Sequence, residues 1–341
     1  MKKILILLCA ISLLFVACFA TACGEKKPTV NIYTSTEQYN MEYLQACLNK
    51  QFPDYNVVIS YMSTGDIAAK VQNEGELSDA DIIYTEEYAY LQTLIAAGVV
   101  DSIAGDYDMT KYTDESVPAS MKDYVLPSMK QGGCIVVNTK VLEEKGIEKP
   151  TSYRDLLDPK YKNLVCMPSP VSSGTGYMFY YSLVNAEGWG EDEALDYFWN
   201  LKKSKNMVEF SKSGSTPMNK LVQKEVAVGF CMICTAVEKI NAGNRDLEIL
   251  FFDEGAPFNL YGNIFVKGKK ARPEVREVMD YLESFYTNEA SKLFYPEQIL
   301  KDTDYTIENH PTDIAYADMD GVIDPEKKAD LLAKWNEMLA K

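Results

Sequence analysis

The stretch PSPVSSGTGYMFYYSLVNAEG, residues 168–188, crowds serine, threonine and glycine into positions 172–176 and then becomes an apolar run of helix length. Serine and threonine are ordinary helix N-caps, because their oxygens accept from the free N–H groups of the first turn. Those N–H groups lie at the positive end of the helix dipole and also bind anions. Ser172-Ser173-Gly174-Thr175-Gly176 therefore reads either as a plain cap or as a loop that holds an oxyanion. Local sequence leaves both readings open, and the rest of the chain must decide.

Working outward, strand and helix patterns alternate. Val30–Thr34 reads as a strand, and 37–52 as a helix with Met41, Leu44, Cys47 and Leu48 at helical spacing. Residues 56–62 alternate as a strand, Ser63–Asp66 turn, and 67–76 read as a helix. A short buried strand at 80–85 leads into a helix over 86–97 that Gly98 stops. This repeated order predicts parallel sheet with helices on both faces. A second block follows, with strands at 133–138, 163–167, 208–210, 226–234, 247–252 and 259–266. Its helices read as 152–157, 177–187, 191–203, 218–223, 272–286 and 289–294. The chain closes on an amphipathic helix with Leu331, Leu332, Trp335, Met338 and Leu339 on one face.

The N-terminus has Lys2 and Lys3 before an apolar run from Ile4 to Ala22, the pattern of a secretory signal over residues 1–22. Ala20-Thr21-Ala22-Cys23 resembles a bacterial lipobox, which makes Cys23 the expected lipid-bearing residue and 23–28 a tether. Cys18 is an alternative site, and an uncleaved signal anchor an alternative reading of the run. Every version places the remainder outside the cytoplasm.

The chain has 341 residues and a net charge of −16, which suits two domains and disfavours nucleic-acid binding by repulsion of phosphate backbones. Cys47, Cys134, Cys166, Cys231 and Cys234 are too dispersed for a disulfide framework. The CxxC at 231–234 sits in an apolar run and reads as small hydrophobes packed in a buried strand. His310 is the only histidine, so histidine triads and histidine metal clusters are not expected. There is no G-x-S-x-G elbow and no nucleotide-binding P-loop. No catalytic residue, metal or cofactor is expected, and nothing calls for more than a monomer.

Four strand-to-helix junctions look alike: Tyr33–Thr36, Ser63–Gly65, Ser172–Gly176 and Ser213–Thr216. Each sets hydroxyls and small residues between a strand end and a helix start, where open α/β sheets bind ligands. Two fall in each half of the chain. Together they suggest two lobes offering hydroxyls and helix N-termini to one cleft, which suits phosphate, phosphonate or carboxylate oxygens.

The segments VNIYT (30–34), ADIIYTE (80–86), PTSYRDLLDPKY (150–161), PVSSGTGY (170–177), SGSTP (213–217) and KEVAVG (224–229), in this order, carry a family resemblance. Over residues 29–300 the chain resembles extracytoplasmic solute-binding proteins of ABC importers, in their ferric-iron, phosphonate and sugar-phosphate branch. The resemblance implies a two-lobed type II periplasmic-binding-protein fold: α/β, each lobe a mixed, mostly parallel sheet flanked by helices, with a hinge between. Lobe 1 would comprise 29–120 and 258–310, lobe 2 121–257, and 311–341 a C-terminal helical segment. The implied partners are a permease and its ATPase subunits, together with the membrane through the lipid anchor.

Ferric binders of this family use adjacent tyrosines, helped by a histidine and a glutamate. Here the tyrosine place reads Cys234-Thr235 and the histidine place Glu37, while Glu86 matches the acid. Tyr180-Tyr181 is adjacent but follows the wrong motif, and on a helix it would point partly to core and partly to surface. The anion motif is intact. The resemblance carries ligand contacts onto Ser173, Gly174, Thr175, Gly176 and Ser213, with Ser215 and Thr216 nearby and Ser63 and Thr64 facing them. Thr34, Ser35 and Thr235 complete the candidate set.

Glu37 and Glu86 beside an anion site imply a ligand that also has a positive end, or hydroxyls that the acids accept from. An aminoalkylphosphonate or a sugar phosphate fits. Alternatively, both glutamates are first-turn helix residues stabilised by the dipole. The expected function is capture of a small anionic or zwitterionic phosphorus compound. Ferric-iron binding and processing of a phosphate ester are the alternatives.

Overall fold

The computed structural model describes residues 27–285, 289–294, 297, 299–303 and 305–341. The signal, Cys23 and most of the tether lie outside the described residues.

In chain order the elements are β1 (Thr29–Thr34), α1 (Gln38–Gln51), β2 (Asn56–Tyr61), α2 (Thr64–Glu74), β3 (Ile82–Glu87), α3 (Tyr88–Ala96), β4 (Leu126–Asn138) and α4 (Thr139–Lys145). Then come β5 (Val165–Pro168), α5 (Gly174–Asn185), α6 (Glu191–Lys203), β6 (Met207–Ser211), α7 (Thr216–Val222), β7 (Val228–Met232) and α8 (Ile233–Asn241). β8 (Leu247–Leu250), β9 (Phe258–Phe265), α9 (Pro273–Phe285), α10 (Ser291–Phe294) and α11 (Pro325–Ala340) complete the chain.

Among the described residues nine strands follow the order β2-β1-β3-β9-β4-β7-β5-β6, with β8 also on β4. The strands that carry the four hydroxyl junctions pair in parallel, β1 with β2 and β3, and β5 with β6 and β7. The antiparallel pairs involve the linking strands: β9 with β3 and β4, and β4 with β7 and β8. This is a two-lobed fold in which β4 belongs to both halves. Its first half pairs with β9 up to Gly132, and from Gly133 it pairs with β7. A Cβ on Gly133 would stand 2.6 Å from Met178 Cε and 3.0 Å from Pro257 Cγ, so glycine leaves room for these side chains where the strand exchanges partners.

The helices follow their sequences. α6 carries Glu191, Asp192 and Glu193 in its first turn and Lys202 and Lys203 in its last, which complements its dipole. α11 begins at Pro325 behind Asp324, whose carboxylate accepts from the N–H groups of Glu326 and Lys327. Trp335 of α11 is fully buried against Tyr180, Phe198 and Phe210, with ring centroids 4.9–5.2 Å apart. The C-terminal helix therefore belongs to the core of the lobe built on β5, β6 and β7.

Several expectations need correction. The strand expected over 226–234 stops at Met232, and α8 begins at once, so the CxxC spans a strand end and a helix start. Its cysteines are buried, as expected, but Cys234 is helical. Tyr180 and Tyr181 do not divide between core and surface. Both are completely buried, because the C-terminal segment covers the second face and Tyr181 Oη donates to Asp320 O. The strand expected at 133–138 begins earlier, at Leu126. Glu86 is not in the first turn of a helix: it belongs to β3, opposite Gly262.

Candidate functional site

Four helices of nine residues or more start at one cavity: α1, α2, α5 and α8. The first lobe contributes Ser35, Thr36 and Glu37 before α1, Ser63 and Thr64 at α2, and Tyr61 and Thr85 from strand ends. The second contributes Ser172, Ser173 and Thr175 at α5, Gly214 and Ser215 before the short α7, and Thr235 in α8. Met129, Gln131, Met232 and Tyr261 close the cavity from the strands. The inner chamber holds about 50 Å³. A buried water needs ~10–15 Å³ by the same kind of measure, so the space suits one small head group. It opens past Glu37, Tyr39, Tyr61, Ser215 and Thr235 into an outer chamber of about 510 Å³, which adds Ser213, Asn219 and Lys239.

The caps of these helices are distinctive. Glu37, Ser63, Ser173 and Met232, the residues preceding α1, α2, α5 and α8, make no side-chain cap bond. Elsewhere the starts of α3, α4 and α11 are capped by side chains, whereas Gly190 before α6 makes no such bond. Glu87 accepts from Ala89 N at 2.8 Å, Asn138 from Val141 N at 3.1 Å, and Asp324 from Glu326 N at 2.9 Å. At the four cavity-facing starts the first-turn N–H groups have no side-chain cap, although Gly65 N is taken by Ser172 O across the cleft. No lysine or arginine lines the inner chamber. Its preference for negative charge rests on neutral hydroxyls, peptide N–H groups and helix dipoles.

The lobes touch across the cleft. Tyr61 Oη and Ser213 Oγ share a hydrogen bond of 2.9 Å, and Gly65 N donates to Ser172 O at 3.4 Å. Lys212 Nζ lies 2.8 Å from Asp66 Oδ2, and Tyr90 Oη donates to Pro170 O at 3.1 Å. A Cβ on Gly65 would meet Val171 O at 2.7 Å. Gly176 lets α5 start against the exit of β5, since its Cβ would stand 2.5 Å from Pro168 O.

Of the residues expected from sequence, Ser35, Glu37, Ser63, Thr64, Ser173, Thr175, Ser215 and Thr235 meet at the inner chamber, and Ser213 lines the outer one. Gly174 and Gly176 lie in the first turn of α5. Thr34 is instead structural: it is buried, and its Oγ1 accepts from Thr36 N at 3.1 Å. Thr216 is outside the cavity wall, with its N–H turned to Ser213 O. Glu86 is also outside it, fully buried behind Thr85, with Oε1 accepting from Glu87 N. Burial and the neighbouring Glu87 push the Glu86 carboxyl up to about 8. Burial raises Glu37 to about 7, with Lys239 opposing and Glu238 reinforcing the shift. Thr36 and Gly214 fall within junctions the sequence singled out, whereas Tyr39, Tyr61, Gln131 and Tyr261 had no such signal. Thr85 is unusual, with φ 53° at a bulge between β3 and β9, where its N–H donates to Asn263 Oδ1.

Comparison with known proteins defines the class. The sequence model for bacterial extracellular solute-binding proteins matches residues 44–295, and the chain belongs to that family. Its members bind solutes for import. An uncharacterized protein of Haemophilus influenzae is 29% identical over 272 residues, spanning 76% of this chain and 74% of that one. A major ferric iron-binding protein of Neisseria gonorrhoeae is 32% identical over 100 residues, 29% of each chain. The periplasmic binding protein AfuA of Actinobacillus pleuropneumoniae, solved with exogenous fructose-6-phosphate bound, superposes with a TM-score of 0.77 at 25% identity, over 92% of this chain and 99% of that one. Iron-bound HitA of Pseudomonas aeruginosa shares the fold at TM-score 0.72 and 18% identity, over 91% and 99%. Among the described residues no helix is long and apolar enough to cross a membrane.

Proposed function

We propose that the chain is the solute-capturing component of an ABC importer and closes its lobes on a small phosphate- or phosphonate-bearing compound. The observation that carries this is the convergence of uncapped helix N-termini from both lobes on a hydroxyl-lined chamber sized for one oxyanion head. The head group would accept from the first-turn N–H groups of α2 and α5 and from Ser63, Thr64, Ser173, Thr175 and Ser215. The rest of the solute would occupy the outer chamber. There Glu37, the acid between the two spaces, would accept from an ammonium or a sugar hydroxyl. A sugar phosphate and an aminoalkylphosphonate both meet this description. The sugar phosphate bound to a 25% identical relative supports the first.

In this reading the work is differential affinity for the closed state, not chemistry, so the chain is not an enzyme. The lobes are 29–120 with 258–310, and 121–257, with the crossing in β4 at Gly132–Gly133. Cys23 carries the lipid anchor after removal of residues 1–22, and the protein acts as a monomer that delivers its solute to a permease.

Iron binding is the second reading, favoured by the ferric relatives and by the phenols of Tyr39, Tyr61 and Tyr261 at the cavity. Burial pushes the Tyr61 and Tyr261 phenols up, which works against phenolate ligands. Titration calorimetry with fructose-6-phosphate, 2-aminoethylphosphonate, inorganic phosphate and ferric citrate tests the proposal. Tight binding of one of the organic phosphorus compounds is expected. Tight binding of iron alone would overturn it, and turnover of the phosphate ester would make the protein an enzyme.

A further inference from the structure

The apolar stripe of α11 contains a charge. Lys328, Leu331, Trp335 and Met338 are its buried residues, and Lys328 is only 2% exposed. A leucine or methionine at 328 would continue the stripe, so packing alone does not ask for lysine. The ammonium meets groups from both lobes. Nζ lies 3.6 Å from Glu87 Oε2 and 2.8 Å from the ring centroid of Tyr90 in the first lobe. From the second, the Tyr177 ring lies at 4.5 Å.

Both first-lobe groups also touch the loop that opens α5. Tyr90 Oη donates to Pro170 O at 3.1 Å and to Val171 O at 3.4 Å. The Cβ of Glu87 packs so closely on Gly174 that a Cβ added there would stand 3.2 Å away. Glu87 uses Oε1 to cap α3 and leaves Oε2 toward Lys328. Lys328 itself lines neither chamber of the cleft.

We propose that Lys328 is a positioning residue for solute capture: it orients Glu87 and Tyr90 so that they hold residues 170–174 in the closed, solute-gripping position. The proposal rests on the solute reading given above. α11 packs into the second lobe through Trp335 and also rests on α3 of the first, so Lys328 sits at the seam between the lobes. Lys328 thus joins lobe closure to the placement of the oxyanion loop. Burial lowers its ammonium to about 8, with Glu87 and Glu86 opposing.

Lys328→Met and Tyr90→Phe test this, singly and together. The second variant removes only the hydroxyl that reaches the loop, so it keeps the test alive if the first folds poorly. Stopped-flow binding of fructose-6-phosphate is expected to show koff raised about tenfold in each single variant, with kon within about twofold of the native protein. The double variant should be no worse than either single one, because the two residues act in series. Small-angle scattering of the ligand-free proteins should give a larger radius of gyration for both variants.

A Lys328→Met protein with a lower Tm but native koff and native radius overturns the proposal and leaves Lys328 a packing residue. If the native protein fails to bind fructose-6-phosphate, the choice of solute falls. The scattering comparison still decides the role of Lys328, since equal radii in all proteins overturn it.

Discussion

Thr175 is the second residue of α5, and its side chain lines the inner chamber. Thr175→Asp puts a carboxylate where the oxyanion would sit. Fructose-6-phosphate affinity should fall at least ~100-fold, or ~2.7 kcal/mol. The Tm should hold, because an acid in the first turn is favoured by the dipole. Calorimetry beside a thermal melt checks both halves, and unchanged affinity would return Thr175 to a plain cap. The hydroxyl side of the site was legible because serine, threonine and glycine at a strand-to-helix junction have few uses. Tyr61, Gln131 and Tyr261 were not, since nothing local tells a strand residue that it faces a cleft. Glu86 was misplaced for a related reason. Its neighbour Glu87 is the true cap of α3, and the bulge at Thr85 carries β3 two residues further than its pattern suggests.

At the scale of elements, the start of α2 is both a helix turn and a contact across the cleft. Gly65 is helical, so alanine there should gain roughly 0.5–1 kcal/mol in helix stability. The same Cβ would collide with Val171 O across the cleft. Gly65→Ala should therefore weaken solute binding about tenfold with the Tm near its native value, the helix gain offsetting the collision, a split that melting and calorimetry on one sample can show. A loss of both would mean that the glycine serves the helix itself. Most elements could be read from periodicity, but α8 could not. The run from Val226 to Cys234 is apolar without a break, and a short apolar run does not distinguish strand from buried helix. Nothing in the sequence marks Lys328 as buried, because only the folded partners Glu87 and Tyr90 make its burial tolerable.

For the molecule as a whole, the raised carboxyls predict how stability varies with pH. Glu37 and Glu86 titrate near 7 and 8 when folded and near 4.5 when unfolded. Between those values the folded state keeps protons that the unfolded chain has released, so stability falls as pH rises through that window. Lys328 acts oppositely above about 8, where the folded state has lost a proton that the unfolded chain still holds, and this arrests the decline. At the acid end, Asp66, Asp79 and Asp106 are held below the usual carboxylate range by hydrogen-bonded partners, chiefly Lys212, Tyr33 and Lys270, so stability is lost as they protonate. The Tm should therefore peak near pH 5 and decline toward pH 8, and Glu86→Gln should flatten that decline. A Tm rising steadily from pH 5 to 8 would contradict this account.

The inner chamber is lined without a lysine or arginine. Receptors that hold anions with exposed cationic side chains lose affinity as salt rises, because mobile ions screen those charges over about 10 Å at 0.1 M. Peptide dipoles enclosed between two lobes are largely beyond the reach of that screening. A protein working outside the cytoplasm meets whatever ionic strength its surroundings impose. On the proposed reading, its grip on a phosphorylated solute should change less than about threefold between 50 and 500 mM sodium chloride, which is near-indifference to salinity where a cationic pocket would fail.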